Sequence, residues 1–112
     1  MTQYLISFDD GTMIIPEEDL PAVVEASLKV VQEARDAGVW VFGGGVLPQR
    51  ASIVSTDGTV TDGLYPETKA VIGGFSIVDV PSREDALEWA ARLAVACRCA
   101  QEVREIGTDP DA

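Results

Sequence analysis

The sequence contains no histidine and only two cysteines, Cys97 and Cys99, among its 112 residues. A structural zinc site takes four Cys or His ligands, so this chain lacks the residues for one. Two positions apart on a helix, the two thiols would point to nearly opposite sides, which disfavours a disulfide between them. We therefore expect two free thiols, no metal site and no cofactor.

Basic residues are also scarce. There are 8 Lys and Arg against 19 Asp and Glu, which gives a net charge of −11. Such a field repels phosphate backbones and anionic membrane surfaces. No apolar run approaches the roughly 20 residues that span a bilayer, and no N-terminal stretch has the pattern of a signal peptide. We predict a cytoplasmic protein without nucleic-acid or membrane partners.

The apolar residues that are present follow two periods, which predict two helices and an antiparallel sheet. The predicted strands cover residues 3–8, 39–42, 51–55, 59–61, 71–80 and 101–106, and the predicted helices cover 17–37 and 82–97. The glycines at 43–45 are expected to end the second strand. This order predicts one α+β domain over residues 1–107, ferredoxin-like, with both helices on one sheet face. Residues 108–112 are expected to form a disordered acidic tail.

Two of the predicted strands are apolar on both faces. The opposed sets are Val39 and Val41 against Trp40 and Phe42, and Phe75 and Ile77 against Val78 and Val80. A strand that is apolar on both faces needs cover on both, and two helices cover only one. A second copy of the sheet is the simplest cover for the other face, so we predict a homodimer.

Several segments resemble one known family. Residues 62–69 read Asp-Gly-Leu-Tyr-Pro-Glu-Thr-Lys, and residues 73–75 read Gly-Gly-Phe. This resembles the Asp-Gly-Pro-Phe-x-Glu-Thr-Lys…Gly-Gly-Phe signature of YCII-related, DGPF-type proteins. Residues 4–6, 85–91 and 103–106 are similar to the family's opening strand, second helix and closing strand.

The resemblance implies a dimeric α+β barrel in which two sheets pack face to face. Related members carry a His-Asp pair suspected of catalysis, and DGPF-type members are often encoded beside extracytoplasmic-function sigma factors. This chain departs from the pattern at Leu64 and Tyr65, which replace Pro-Phe, and in having no histidine. The chemistry of the His-Asp pair therefore does not carry over.

Three charged residues in one predicted loop are candidates for acid–base chemistry. Asp62, Glu67 and Lys69 lie within eight residues of one another. A carboxylate beside a lysine can transfer protons if burial shifts their pKa values. The structural alternative is that Asp62 forms a turn with Gly63, and that Glu67 pairs with Lys69 at the rim.

Four further residues are candidates for binding a substrate. Trp40, Tyr65 and Phe75 are predicted to line a barrel cavity, and Asp9 follows the first strand toward the same loop. Alternatively, the aromatic residues fill a core or an interface and Asp9 is solvated. Two functions stay open. One is a small-molecule-binding domain, as an enzyme without a cofactor or as a binder only. The other is a regulatory or protein-interaction module linked to sigma-factor control.

Overall fold

The computed structural model describes residues 1–47, 51–63 and 72–107. A short 3-10 turn, Glu17–Asp19, precedes the first helix. In chain order the elements are β1 (Thr2–Asp9), α1 (Leu20–Asp36), β2 (Trp40–Gly45), β3 (Ser52–Val54), β4 (Val60–Asp62), β5 (Ile72–Val80), α2 (Arg83–Cys97) and β6 (Glu102–Glu105). The tail predicted at 108–112 lies outside the described residues.

Four strands form an antiparallel sheet in the order β2-β5-β1-β6, and β3 pairs only with β4 in a separate hairpin. The long central strands β1 and β5 set the register, with Tyr4 opposite Val78 and Ile6 opposite Ser76. With one helix after β1 and one after β5, this is the predicted α+β, ferredoxin-like topology, which the structure confirms.

The hydrophobic core lies between the helices and one face of the sheet. It consists of Tyr4, Ile6, Val78 and Val80 from the strands and Ala86, Ala90 and Leu93 from α2, with Val30 of α1 packed against it. Burying one side chain of the size of Val or Leu contributes about 1.5–3 kcal/mol. Neither α1 nor α2 packs on the opposite sheet face, which carries Phe75 and Ile77.

Helix α1 ends close to the predicted position, but it begins at Leu20 rather than at residue 17, because Glu17–Asp19 form the 3-10 turn. Pro21 occupies its first turn, and Gly38, with a φ of +75°, follows its C-cap. Its apolar stripe is wider than the surface it buries, however. Val23 is 2% exposed, whereas Leu28 is 61% exposed. The helix therefore packs on the rest of the chain through only part of its apolar stripe.

Helix α2 begins at a side-chain cap. The Asp85 backbone N–H donates to Ser82 Oγ over 3.2 Å, and the Ser82 hydroxyl donates to the Asp85 carboxylate over 3.0 Å. The first of these bonds satisfies a backbone donor that a helix N-terminus otherwise leaves without a partner, and the second orients the capping hydroxyl. Neither helix in the described part of the chain combines the length and apolarity needed to cross a bilayer.

A β-bulge in β2 changes the predicted orientation of two aromatic residues. Trp40 pairs with Val78 and Phe42 with Ile77, so Val41 is the extra residue between them. Trp40 therefore shares the helix-covered face with Val78, whereas Phe42 shares the open face with Ile77. The prediction that Trp40 and Phe42 point the same way is wrong, because a bulge shifts the alternation by one residue. The strand also continues through Gly45 rather than ending at the glycines.

Candidate functional site

A cleft of about 540 Å³ lies between α1 and the edge of the sheet formed by β2 and β5. The exposed Leu28 and the half-buried Val31 of the α1 stripe lie on one side of it, and strand backbone lies on the other. Ligand sites in proteins are commonly clefts of about 300–1,000 Å³ with mostly apolar walls. This cleft meets both criteria.

Glycines form the strand side of the cleft, and most of them are required by the fold itself. A methyl group at Gly43 would lie 2.8 Å from Trp40 Cη2 and 2.6 Å from the Phe75 carbonyl oxygen. A methyl group at Gly74 would lie 2.7 Å from the Phe8 ring, and one at Gly73 would lie 2.9 Å from it. These glycines are needed for close packing of the chain on itself.

Gly45 differs from these glycines. It lines the cleft, yet the nearest atom to a methyl group at this position would be the Gly73 carbonyl oxygen, 3.9 Å away. Its φ is not positive, so the backbone does not demand glycine either. Neither close packing nor backbone conformation therefore explains why position 45, where bare backbone lines the cleft, is a glycine.

Two charged residues, Arg35 and Asp10, line the cleft in the part of the chain that the structure describes. Arg35 lies in the last turn of α1, and its guanidinium carbon is 5.9 Å from the centroid of the Trp40 ring. This is a cation–π distance. Asp10 follows β1 and approaches the other end of the cleft at Gly73, where its Cα would lie 3.0 Å from an added methyl group.

A cysteine thiol also borders the cleft. Cys97 is buried at the end of α2, and burial raises the pKa of its thiol, an effect that a hydrogen bond with Ser27 partly offsets. Burial likewise raises the pKa of Cys99, which hydrogen bonds with Thr12 and Gln101 partly offset. Both cysteines are free, as the sequence predicts. Since a thiolate is the nucleophilic form of cysteine, neither thiol is activated as a nucleophile at neutral pH.

The residues predicted to bind a substrate are only partly brought together. Trp40 and Phe75 both line the cleft. The Phe75 ring, however, packs on Phe42 of the open face, with their centroids 5.9 Å apart. Asp9 is half-buried opposite Ile72 and is not among the lining residues, whereas its neighbour Asp10 is.

Of the three predicted acid–base residues, Asp62 is the one that lies within the described ranges. Asp62 ends β4 in the separate hairpin, where its exposed carboxylate accepts a hydrogen bond from Ser52 Oγ over 3.2 Å. It does not line the cleft. Glu67, Lys69 and Tyr65 lie outside the described residues. Within the described ranges, no three Cys, Asp or Glu side chains converge in a way that could hold a metal ion.

Sequence reasoning missed the helix side of the cleft. Leu28 and Val31 belong to the apolar stripe of the helix, and a cation such as Arg35 is ordinary in the last turn of a helix, so neither marks a cleft by itself. The available signal was the excess width of the α1 stripe, which has more apolar positions than one packing face needs. Cys97 was read as a buried thiol, with nothing in the sequence to place it beside a cleft.

A solved structure shares the fold. The 5-chloro-2-hydroxyhydroquinone dehydrochlorinase of Burkholderia phenoliruptrix, in complex with 2,5-dihydroxybenzoquinone, superposes with a TM-score of 0.56. The match covers 99% of this chain and 98% of that chain at 14% sequence identity. At that identity the similarity extends to the fold alone.

Sequence comparison gives the family. A search of curated proteins finds no match. The family model of the YCII-related domain, by contrast, matches residues 3–107, which is nearly the whole chain. The match includes both helices, all six strands and every residue of the cleft lining named above. The chain therefore belongs to the YCII-related domain family.

Proposed function

We propose that this protein binds a small organic molecule in the cleft between α1 and the β2–β5 edge. The observation that carries the proposal is the bare backbone at Gly45, which faces apolar side chains that α1 leaves unburied. An exposed leucine on a helix is common, but an exposed leucine across a glycine strand forms a two-sided apolar slot. The fold-sharing dehydrochlorinase, whose structure contains a bound quinone, supports a small-molecule role for this architecture.

The test is a thermal-shift screen of a metabolite panel on the wild type and on Gly45→Val. A side chain at position 45 would begin in open space, since the nearest atom to its Cβ would be the Gly73 carbonyl oxygen, 3.9 Å away. Gly44→Val is the matched control: the Gly44 backbone also lines the cleft, but its side chain would project to the open face with Phe75, where a methyl group meets nothing within 4 Å. We expect compounds that stabilise the wild type and Gly44→Val but not Gly45→Val. Equal stabilisation of all three proteins would contradict the proposal.

The catalytic part of the proposal is a cofactor-independent acid–base reaction. Asp10 lines the cleft, and Asp62, Glu67 and Lys69 remain the proposed acid–base residues, with Asp9 and Tyr65 as proposed binding residues. Repeating the screen on Asp10→Asn and Asp62→Asn separates the two carboxylates. The variant that loses stabilisation identifies the one that contacts the ligand.

We also propose that the protein forms a homodimer through the open sheet face. Leu5, Phe42, Phe75 and Ile77 lie on this face, and Phe42 is 62% exposed. An apolar face without charged residues at its centre fits a second copy of itself across a two-fold axis. The dimeric barrel that the family resemblance implies has the same arrangement.

The regulatory alternative, with its link to sigma-factor control, has no support among the described residues and stays a prediction. The cytoplasmic location and the absence of nucleic-acid partners also remain predictions from the sequence.

A further inference from the structure

Two arginines of the described chain, Arg35 and Arg83, make no salt bridge with another described residue, and of the two only Arg35 lines the cleft. Three others make salt bridges, with Arg92 on Glu33, Arg98 on Asp19 and Arg104 on Glu102. Within the described residues Arg35 makes none, although the protein carries 19 acidic residues. Its guanidinium instead lies over Trp40 at the cleft.

An arginine without a carboxylate partner is free to take an anionic ligand. Guanidinium groups bind carboxylates through paired N–H donors, and they retain this capacity while stacked on an aromatic ring. The stacking also fixes the orientation of the group before a ligand arrives, which lowers the entropic cost of binding.

The rest of the cleft restricts the shape of the ligand body. Beyond Trp40, the floor is the glycine backbone of β2 and β5, and the facing wall is formed by Leu28 and Val31. A slot with an indole and flat backbone on one side and branched side chains on the other suits a planar apolar group.

Asp10 limits the number of negative charges on the ligand. Trp40 and Arg35 lie at the Gly43 end of the glycine floor, and Asp10 lies at the Gly73 end. A ligand that carried an anionic group at both ends would therefore place one of them beside the Asp10 carboxylate, which is unfavourable.

We infer that the cleft selects planar aromatic monoanions whose acidic group binds Arg35 and whose ring lies on Trp40 and the glycine floor. The inference rests on the proposed function, because it names the ligand class of the same cleft. It assigns Arg35 as the residue that discriminates charged ligands from neutral ones of the same shape.

The test compares naphthoate with naphthamide, which has the same ring system and no charge. Binding of each is measured by calorimetry to the wild type, Arg35→Gln, Arg35→Lys, Arg92→Gln and Gly45→Val. Arg92 is a matched control, because its guanidinium also stacks on a tryptophan, 4.4 Å from the Trp89 ring, but lies on the outer helix face. Arg92→Gln and Arg35→Gln each remove one positive charge, so the two variants have the same net charge.

We expect the wild type to bind naphthoate about tenfold more tightly than naphthamide, because one charge-assisted hydrogen bond contributes a difference of about that size. Arg35→Gln should remove this preference, Arg35→Lys should restore most of it, and Arg92→Gln should leave it unchanged. Equal affinities of the wild type for the two probes, no binding of either, or an equal effect of Arg92→Gln would overturn the inference. If both probes bind equally and Gly45→Val abolishes both, the ligand class is wrong and the cleft is still the binding site. If Gly45→Val leaves both unaffected, the proposed function itself fails.

Discussion

At the scale of single residues, the glycines of β2 and β5 have two different roles. Gly74 gives space to the Phe8 ring, whereas Gly45 borders only the cleft. A methyl group is therefore harmful at one position and tolerated at the other, since overpacking costs energy only where atoms already fill the space.

We predict that Gly74→Ala lowers the free energy of unfolding by about 1–3 kcal/mol, because its methyl group would overlap Phe8. Gly45→Ala should leave stability unchanged or raise it by up to about 1 kcal/mol, since it restricts the unfolded chain. Urea unfolding measures both. Combining Gly74→Ala with Phe8→Leu should recover part of the loss, and a Gly74→Ala protein as stable as the wild type would contradict this assignment.

The two thiols should differ in reactivity. Cys97 is 9% exposed, whereas Cys99 is more open, and burial raises the pKa of both. A raised pKa lowers the thiolate fraction at neutral pH, so we predict slow labelling by iodoacetamide, with Cys99 modified before Cys97. The rate at Cys97 should continue to rise with pH above 9.0, the ordinary value of its pKa.

A ligand in the cleft should protect Cys97 from alkylation and leave Cys99 unaffected. Mass spectrometry of Cys97→Ala and Cys99→Ala separates the two sites. Labelling of Cys97 at the rate of an exposed thiol would show that the cleft wall is not packed as the structure has it.

At the scale of elements, the cap of α2 contributes stability that depends on one side chain. Ser82→Ala removes the acceptor for the Asp85 N–H, and we predict a loss of about 1 kcal/mol in the free energy of unfolding. Ser52→Ala is the control, because the Ser52 hydroxyl bonds only the exposed Asp62 carboxylate and should cost less than about 0.5 kcal/mol. Equal effects of the two substitutions would contradict the capping role.

The sequence predicts an element well where the residues that define its ends act within a few positions of it. Ser82 and Gly38 act within one turn of their helix, and both helices begin and end close to the predicted positions. The strands of the main sheet are also found where alternation predicts them. The topology follows from their order along the chain.

The features that escaped prediction depend on contacts between distant segments. No sequence pattern marks the bulge at Val41. The bulge is defined by the pairing of Trp40 and Phe42 with β5. The cleft forms because α1 lies over the sheet edge through part of its stripe, which no local pattern specifies. The sequence groups Asp62 with Glu67 and Lys69 in one loop, but the structure places Asp62 on a hairpin that, within the described ranges, pairs with no strand of the main sheet.

At the scale of the whole molecule, the thin dimension shows what the fold leaves uncovered. The chain measures 47 × 43 × 19 Å, and the shortest extent corresponds to one helix layer on one sheet layer. In this arrangement the second face of the sheet keeps its apolar side chains at the surface, which is unusual for a monomer.

We predict a homodimer that sediments at about twice the chain mass of 11.9 kDa. Phe42→Lys, on the open face, should shift the protein toward monomer because it places a charge in the proposed interface. Val95→Lys is the matched control, since Val95 is 81% exposed but lies on the outer helix face. A wild type that sediments as a monomer at micromolar concentration would refute the dimer.

The central claim is that the cleft is the ligand site, and chemical-shift mapping by heteronuclear NMR tests it most directly. The compound that stabilises the wild type most in the screen is titrated into the labelled protein. The account predicts that the largest shifts occur at Gly45, Gly74, Leu28 and the Trp40 indole N–H. Shifts that instead cluster at Ala22, Ala26 and Val95, which line a separate groove on the outer helix face, would contradict it.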